Sequence, residues 1–112
     1  MIQAMIKVKL PASRMKEAMA ILRPFAEWTK TLPGCVACEL HRDVLEDAVL
    51  VFNDRWKNEE DLRRHLCSNE YRDLLLVMEM SREPPEVRFD VISDTRGFEA
   101  IERARTHLTH RG

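Results

Sequence analysis

Residues 48–56, A-V-L-V-F-N-D-R-W, constrain the fold more than any other stretch of the chain. The first half of this predicted strand is apolar on both faces, through Val49, Leu50, Val51 and Phe52. Such a run is typical of a strand that is covered on both sides. The 112 residues suffice for one domain with one core. The two predicted helices of that domain cover one side of a sheet, so we expect a second copy of the chain to cover the other.

Three further segments have the alternation of strands: residues 2–10, 35–42 and 86–92. In a strand, successive side chains point to opposite faces, so every second residue shares a face. The residues predicted to point into the core are Ile2, Ala4, Ile6, Val8 and Leu10 in the first segment and Val87, Phe89 and Val91 in the last.

Two helical regions separate these strands. Apolar residues recur at helical spacing over residues 14–30, where Pro24 is expected to kink or break the helix. The second region begins at the predicted N-cap Asn58 and is expected to break at Ser68, which would cap a new segment. Residues 71–80 are apolar nearly all round, which predicts deep burial.

The resulting order is βαββαβ, the split arrangement of ferredoxin-like folds. We therefore predict an α+β domain over residues 1–94 with a four-stranded antiparallel sheet. Residues 95–112 form a tail with a modest helical pattern through Phe98, Ile101 and Leu108.

Composition excludes several functional classes. The net charge is −1, with 18 basic against 19 acidic residues, so the composition does not indicate a basic surface that would bind nucleic acid. No apolar run approaches the ~20 residues that span a bilayer. The N-terminal segment has charges within its apolar stretch, so it is interpreted as a strand and not a signal peptide, which predicts a cytoplasmic protein.

The three cysteines argue against a disulfide framework. Cys35 and Cys38 have the C-x-x-C spacing of metal and redox sites, but in a regular strand positions i and i+3 point to opposite faces. We therefore expect small buried side chains and no metal. The sequence also lacks the motifs of nucleotide and flavin sites.

The residues best suited to chemistry lie between positions 54 and 71. Trp56 ends the third strand, His65 lies on the following helix, and Tyr71 begins the next helical segment. Histidine exchanges protons near neutral pH, and aromatic residues with polar tips suit a pocket that is partly wet. The alternative is that the two aromatics are core or interface residues and that His65 is hydrogen-bonded at a helix end.

Asp54 also has two interpretations. It could polarise a histidine, or it could form a structural ion pair with Arg42 or Arg88 across the sheet. The charged residues 59–64 are interpreted as a solvated helix face.

The chain resembles the antibiotic biosynthesis monooxygenase domains of the dimeric α+β barrel superfamily, over about residues 1–93. The resemblance lies in Pro33-Gly34-Cys35, in Trp56-Lys57 and in the pattern W-x-x-x-x-x-L-x-x-H-x-x-S-x-x-Y. That pattern is formed here by Trp56, Leu62, His65, Ser68 and Tyr71. Asp54 stands where the family usually has an acidic residue, most often Glu.

The resemblance implies a homodimer whose sheets pack face to face and a pocket in each subunit between sheet and helices. It also implies oxygenation of a quinol-like or polycyclic phenolic molecule by O₂ without metal or flavin. The substrate loses a proton and the resulting carbanion reduces O₂. His65 is then the predicted catalytic residue, as proton acceptor or hydrogen-bond donor, and Trp56, Tyr71, Asp54 and Phe52 are the predicted substrate-binding residues.

Two alternatives accompany this prediction. Some relatives degrade haem through a histidine ligand in the last helix, but no histidine lies between Cys67 and Arg105. Others only bind small molecules, so a non-catalytic, dimeric binding or regulatory module is the second hypothesis. Convergence of His65, Trp56 and Tyr71 on an open cavity would favour the enzyme. A space filled by bulky residues such as Leu74, Leu75, Met78 and Phe25 would favour the module.

Overall fold

A computed structural model describes the backbone of residues 1–111 and the side chains of residues 1–106. The elements follow the order β1 (Ile2–Lys9), α1 (Met15–Lys30), β2 (Cys35–Arg42), β3 (Val49–Trp56), α2 (Glu59–Leu66), α3 (Arg72–Glu79), β4 (Glu86–Val91) and α4 (Glu99–Arg111). The strands form one antiparallel sheet in the order β2-β3-β1-β4. The predicted ferredoxin-like α+β fold is confirmed. Within the described residues, no helix is long and apolar enough to cross a membrane.

The two central strands, β1 and β3, fix which residues face the helices. In β3, Phe52 pairs with Ile6 and Leu40 on the neighbouring strands, and Asp54 pairs with Ala4 and Cys38. Because strand side chains alternate, Phe52, Asp54 and Trp56 point to one face. All three are buried, and Phe52 belongs to the main core.

The expectation that Cys35 and Cys38 point to opposite faces is wrong. A β-bulge lies between Cys35 and Ala37, so Cys35 pairs with Trp56 while Cys38 pairs with Asp54. The extra residue shifts the alternation by one position and turns both thiols to the same face of the sheet. Burial, with a further contribution from the charge of Asp54, raises the pKa of both thiols, that of Cys38 to about 12.

The sequence predicts a kink or a break at Pro24, and helix α1 continues through this residue without a break. Proline has no N–H to donate to the carbonyl of Ala20, four residues earlier. Because Pro24 and Ala20 are both exposed, water can donate to this carbonyl instead. Ser68 does not cap α3; its hydroxyl donates to the His65 carbonyl at 2.7 Å and closes the end of α2. The predicted N-cap is confirmed, since Asn58 Oδ1 accepts from the Asp61 N–H at 2.9 Å.

The predicted burial of β4 and of α3 is wrong in the single chain. Val87, Phe89 and Val91 pair with the core-facing residues of β1, yet they stay 45%, 47% and 82% exposed. They remain exposed because β4 is an edge strand, and the described helices cover the other three strands. Helix α3 buries Leu74 and Val77 against α1 and leaves Leu75 and Leu76 exposed, so it has one buried face and not an apolar surface buried all round.

Candidate active site

Helix α2 holds His65 against the sheet. The helix begins at the Asn58 cap, and three acidic residues in its first turn interact favourably with the helix dipole. Leu62 and His65, one turn apart, are its two buried residues. His65 is only 2% exposed although the rest of the helix is largely charged. The short helix therefore places one imidazole in the interior.

Four aromatic rings surround the imidazole of His65. Trp56 stacks on it with ring centroids 4.8 Å apart and planes at 29°, and Phe25 stacks at 5.7 Å. Tyr71 meets the ring edge-on at 5.2 Å, and Trp28 lies tilted at 5.9 Å. Aromatic faces carry negative partial charge and attract cations. A cation held at this position would therefore lie against aromatic faces.

Asp54 supplies the one carboxylate beside His65. Its Oδ2 lies 3.5 Å from Nε2 of His65, and the side chains are 4% and 1% exposed. The distance is that of an ion pair, and the contact does not have hydrogen-bond geometry. The structure therefore brings Asp54 to the histidine. Among the described ion pairs, none joins Asp54 to Arg42 or to Arg88, which bonds Asp90 at 3.0 Å.

Three buried nitrogens at this place have no hydrogen-bond partner within the described chain: Nδ1 and Nε2 of His65 and Nε1 of Trp56. An unsatisfied buried polar group destabilises a protein by about 1–3 kcal/mol, so native structures rarely retain several together. The cluster is accounted for if a bound molecule supplies the missing partners. The interpretation of His65 as a hydrogen-bonded structural histidine does not fit these contacts.

A cavity of about 210 Å³ lies beside the stacked Trp56 and His65 rings. Its wall is mainly apolar, with polar groups at the rim. The lining residues are Trp28, Leu32, Pro33, Trp56, Asp61, Arg64, His65 and Ser68. An apolar cavity of roughly 150 Å³ accommodates a benzene ring, so this one has the size for a substituted aromatic ring.

A larger cleft of about 640 Å³ lies between α1 and the edge strand β2. Charged side chains such as Arg23, Glu27 and Lys30 line it, and it opens widely to solvent. We place the candidate site in the smaller cavity because it is lined by Trp56 and His65, the residues that carry the unpartnered nitrogens. Among the described residues, no three His, Cys, Asp or Glu side chains lie together in a group that could hold a metal ion.

The residues predicted from sequence occupy different layers of this site. Trp56 and His65 line the cavity, and Asp54 touches His65 from the sheet. Tyr71 contacts the histidine without lining the cavity, and burial together with the charge of Asp54 raises its pKa to about 12. Phe52 lies one layer deeper, 5.4 Å from the ring of Phe25, and does not line the cavity.

Two aromatic residues of α1 were absent from the sequence prediction of the site. Phe25 and Trp28 both contact His65, and Trp28 also lines the cavity. Their spacing of three residues places them on neighbouring turns of one helix face. That spacing signals a shared face, but only the packing of α1 across the sheet shows that the face meets α2.

Comparison with known proteins gives the family. The family model described as "Antibiotic biosynthesis monooxygenase" matches residues 1–75, which include Asp54, Trp56, His65 and Tyr71. The chain belongs to the antibiotic biosynthesis monooxygenase family. The resemblance seen in the sequence is thereby confirmed.

Solved structures of similar shape agree with this family fold. A Deinococcus radiodurans protein whose name also places it among the antibiotic biosynthesis monooxygenases has a TM-score of 0.80 at 12% identity, covering 88% of this chain and 98% of its own. A conserved protein of Methanosarcina mazei has a TM-score of 0.74 at 20% identity, covering 80% and 89%. At these identities the likeness shows the fold alone.

A curated relative from Synechocystis, itself described as uncharacterized, is 22% identical over 90 residues. The match covers 80% of this chain and 61% of the relative, so the monooxygenase-family domain corresponds to part of a longer protein there.

Proposed function

We propose that the protein is a monooxygenase that oxidises a small quinol-like or phenolic aromatic molecule with O₂ in the cavity beside His65. The observation that carries the proposal is that His65 and Trp56, whose buried side-chain nitrogens have no partner among the described residues, line an apolar, ring-sized cavity. A phenol or phenolate oxygen would bond these groups, and its ring would fill the apolar space.

His65 acts as the proton acceptor in this proposal. Because Nε2 faces the Asp54 carboxylate, the neutral ring keeps its proton there and leaves Nδ1 to accept a proton from the substrate. The imidazolium that forms is stabilised by Asp54 and by the surrounding aromatic faces. The Trp56 N–H donates to the developing anion in a site with little water, where a hydrogen bond is stronger than in bulk solvent.

The substrate supplies the electrons for the reaction. Loss of the proton gives an anion with carbanion character at a ring carbon, which reduces O₂ and forms a carbon–oxygen bond to a peroxide. The O–O bond then breaks as the carbon loses its hydrogen, leaving one oxygen on the substrate. The other oxygen takes protons, one of them from His65, and leaves as water. For a hydroquinone, the sum is quinol plus O₂ giving hydroxyquinone plus water.

Oxygen uptake with a panel of hydroquinones and anthrones tests the proposal. We expect turnover by the wild type and a decrease of about 100-fold or more for His65→Gln, since a positioned base contributes about 10²–10⁴-fold. His41→Gln is the matched control, because His41 is an exposed residue of β2 that pairs with Glu39. The proposal fails if the wild type consumes no more O₂ than buffer, or if both variants turn over equally.

The uncovered face of the sheet supports the proposal of a homodimer. This face carries the apolar residues Met5 and Val51 of the two central strands, while the described helices pack on the opposite face. A two-fold dimer would bring two such faces together. Static light scattering at micromolar concentration is expected to give twice the chain mass, and a monomeric mass would contradict the homodimer.

We further propose a cytoplasmic location, a domain over residues 1–94 and an appended tail over residues 95–112.

The second hypothesis, a non-catalytic binding module, predicts thermal stabilisation by an aromatic ligand without product formation. Two of the three residues expected to converge on the cavity, Trp56 and His65, line it, and Phe25 and Leu74 pack in the core, which favours the enzyme. The third, Tyr71, does not line the cavity.

A further inference from the structure

The cavity beside His65 has a second group of polar lining residues, which the proposed reaction does not use. His65 and Trp56 carry the nitrogens that act in that reaction, and Asp61, Arg64 and Ser68 also line the cavity. The remaining wall is apolar or aromatic. A ligand that fills this space therefore meets polar side chains at more than one place, and the second group is available to recognise another substituent of its ring.

The carboxylate of Asp61 is held in a fixed orientation. Its Oδ2 accepts from Nδ2 of Asn58 at 3.0 Å, and its Oδ1 accepts from Nη1 of Arg64 at 3.1 Å. The side chain is only 17% exposed. A carboxylate offers about four lone-pair sites, so these two bonds leave it able to accept further hydrogen bonds. Asp61 is therefore a pre-positioned acceptor in the lining of the cavity.

Asp61 is better suited than the other lining residues to accept from a hydroxyl group. Arg64 has donors only. Ser68 carries the other side-chain oxygen of the lining, and its hydroxyl already donates to the His65 carbonyl at 2.7 Å. A hydrogen bond to an ionised acceptor is roughly twice as strong as one between neutral groups. A carboxylate therefore discriminates more sharply than a serine between a ligand with a hydroxyl and one without it.

The spacing of Asp61 and His65 defines where that hydroxyl must lie. The two residues are one turn apart on α2, and side chains at this spacing share a helix face with Cβ atoms about 5–6 Å apart. A single ring that places one hydroxyl at His65 reaches Asp61 with a substituent on its far side. In a para-diphenol, the second hydroxyl lies at that far side of the ring.

We propose that Asp61 is a specificity residue, which accepts a hydrogen bond from the second hydroxyl of a para-diphenol whose first hydroxyl is bound at His65. This rests on the function proposed above, because it takes the ring to lie in the same cavity. Asn58 and Arg64 are positioning residues that act through the Asp61 carboxylate. A phenol without the second hydroxyl would exclude water from the carboxylate without replacing its hydrogen bond, so the site would reject it.

Binding measured without O₂ tests the role of Asp61 separately from the reaction. Anaerobic isothermal titration calorimetry compares hydroquinone with para-cresol, in which a methyl group of similar size replaces the second hydroxyl. We expect the wild type to bind hydroquinone about tenfold or more tightly, the equivalent of one hydrogen bond to a charged group. Asp61→Asn is expected to lose most of this preference without a loss of affinity for para-cresol, whereas general damage to the cavity would weaken the binding of both ligands.

Two control variants and one comparison of ligands accompany Asp61→Asn. Glu60→Gln removes an exposed carboxylate that also contacts Arg64, at 3.7 Å, but does not line the cavity. Ser68→Ala removes the other side-chain oxygen of the lining. Both variants are expected to keep the preference for hydroquinone. Resorcinol and catechol carry the second hydroxyl at other ring positions, so the wild type is expected to bind them more weakly than hydroquinone; this comparison needs no variant that folds.

Several outcomes would overturn the role of Asp61. They are equal affinity of the wild type for hydroquinone and para-cresol, binding of neither ligand, equal affinity for hydroquinone and resorcinol, and loss of the preference in Ser68→Ala but not in Asp61→Asn. Oxygen uptake that depends on His65 without any such preference would contradict the role of Asp61 alone. A preference that depends on Asp61 in a protein without oxygen uptake would contradict the monooxygenase and support the recognition of the second hydroxyl.

Discussion

Asp54 Oδ2 and His65 Nε2 lie 3.5 Å apart in a part of the core from which solvent is almost excluded. Asp54 comes from the central strand β3, and His65 comes from α2 across the sheet–helix boundary. A buried carboxylate without a partner is strongly destabilising, so each residue depends on the other. The pair therefore joins two layers of the fold and also orients the imidazole at the cavity.

A double-mutant cycle measures this dependence. We expect Asp54→Asn and His65→Gln each to destabilise the protein and the double variant to differ from their sum by about 0.5–3 kcal/mol, the range for residues in contact. Urea denaturation of the wild type, the single variants and the double variant gives the coupling free energy. The exposed pair Arg14–Glu17, also within ion-pair distance, serves as control.

The control pair is expected to couple by less than about 1 kcal/mol because water and salt screen exposed charges. If the free energies for Asp54 and His65 add within about 0.3 kcal/mol, the two side chains do not interact in solution as they do in the structure.

Tyr71 gives a pH-dependent signal that is specific because it is the only tyrosine in the chain. Burial, and secondly the charge of Asp54, raises its pKa from 10.0 to about 12. Between about pH 10 and 12 the folded chain thus keeps the phenolic proton, whereas the unfolded chain has lost it. The free energy of unfolding is therefore expected to fall as the pH rises from about 10 to 12, and to fall less steeply in Tyr71→Phe.

Ultraviolet absorbance of tyrosinate follows the titration of Tyr71 directly. In Asp54→Asn the repulsion between carboxylate and phenolate is absent, so the midpoint is expected at a lower pH than in the wild type. An unchanged midpoint would mean that burial alone holds the proton on Tyr71.

The sequence predicted the four strands and their order along the chain because alternation with a period of two is a local property of each strand. It failed where a non-periodic feature intervened: the bulge between Cys35 and Ala37 reverses the face of Cys35 relative to the rest of the strand, and no residue type marks it. It also failed at Phe89, because alternation gives the face of a side chain and not whether another layer covers that face. In the site, Trp56 and His65 were predicted from a pattern within one segment of the sequence. The contribution of Trp28 could not be predicted in this way, because it depends on how the distant helix α1 packs against His65.

Trp56 lines the cavity, stacks on His65 and carries a buried N–H without a partner among the described residues. Trp56→Phe keeps an aromatic ring and removes the donor. If the N–H bonds the substrate, the dissociation constant of an aromatic ligand is expected to rise by up to about tenfold, the equivalent of one hydrogen bond. Isothermal titration calorimetry measures the change.

Trp28→Phe is the matched control for Trp56→Phe, because Trp28 lines the same cavity and its indole nitrogen is not among the buried unpartnered atoms. Equal loss of affinity in the two variants would indicate that ring area, and not the Trp56 N–H, determines binding.

Gly34 sets the position of the cavity rim. Its φ of +81° is in the left-handed region that side chains disfavour, and an added Cβ would collide with the carboxylate of Asp61. That carboxylate cannot move freely, since it accepts from Asn58 and Arg64 at 3.0 and 3.1 Å. Gly34→Ala is therefore expected to lower the free energy of unfolding by about 1–3 kcal/mol and to weaken ligand binding, because Pro33 and Asp61 both line the cavity.

Gly97→Ala isolates the backbone effect of Gly34→Ala. At Gly97 an added Cβ would meet only the end of the flexible Glu99 side chain at 2.9 Å, and the backbone there is not left-handed. Chemical denaturation is expected to show a change within about 0.5 kcal/mol for Gly97→Ala, the range for surface substitutions. If Gly34→Ala is equally mild, the turn before β2 adapts to a side chain and does not fix the cavity rim.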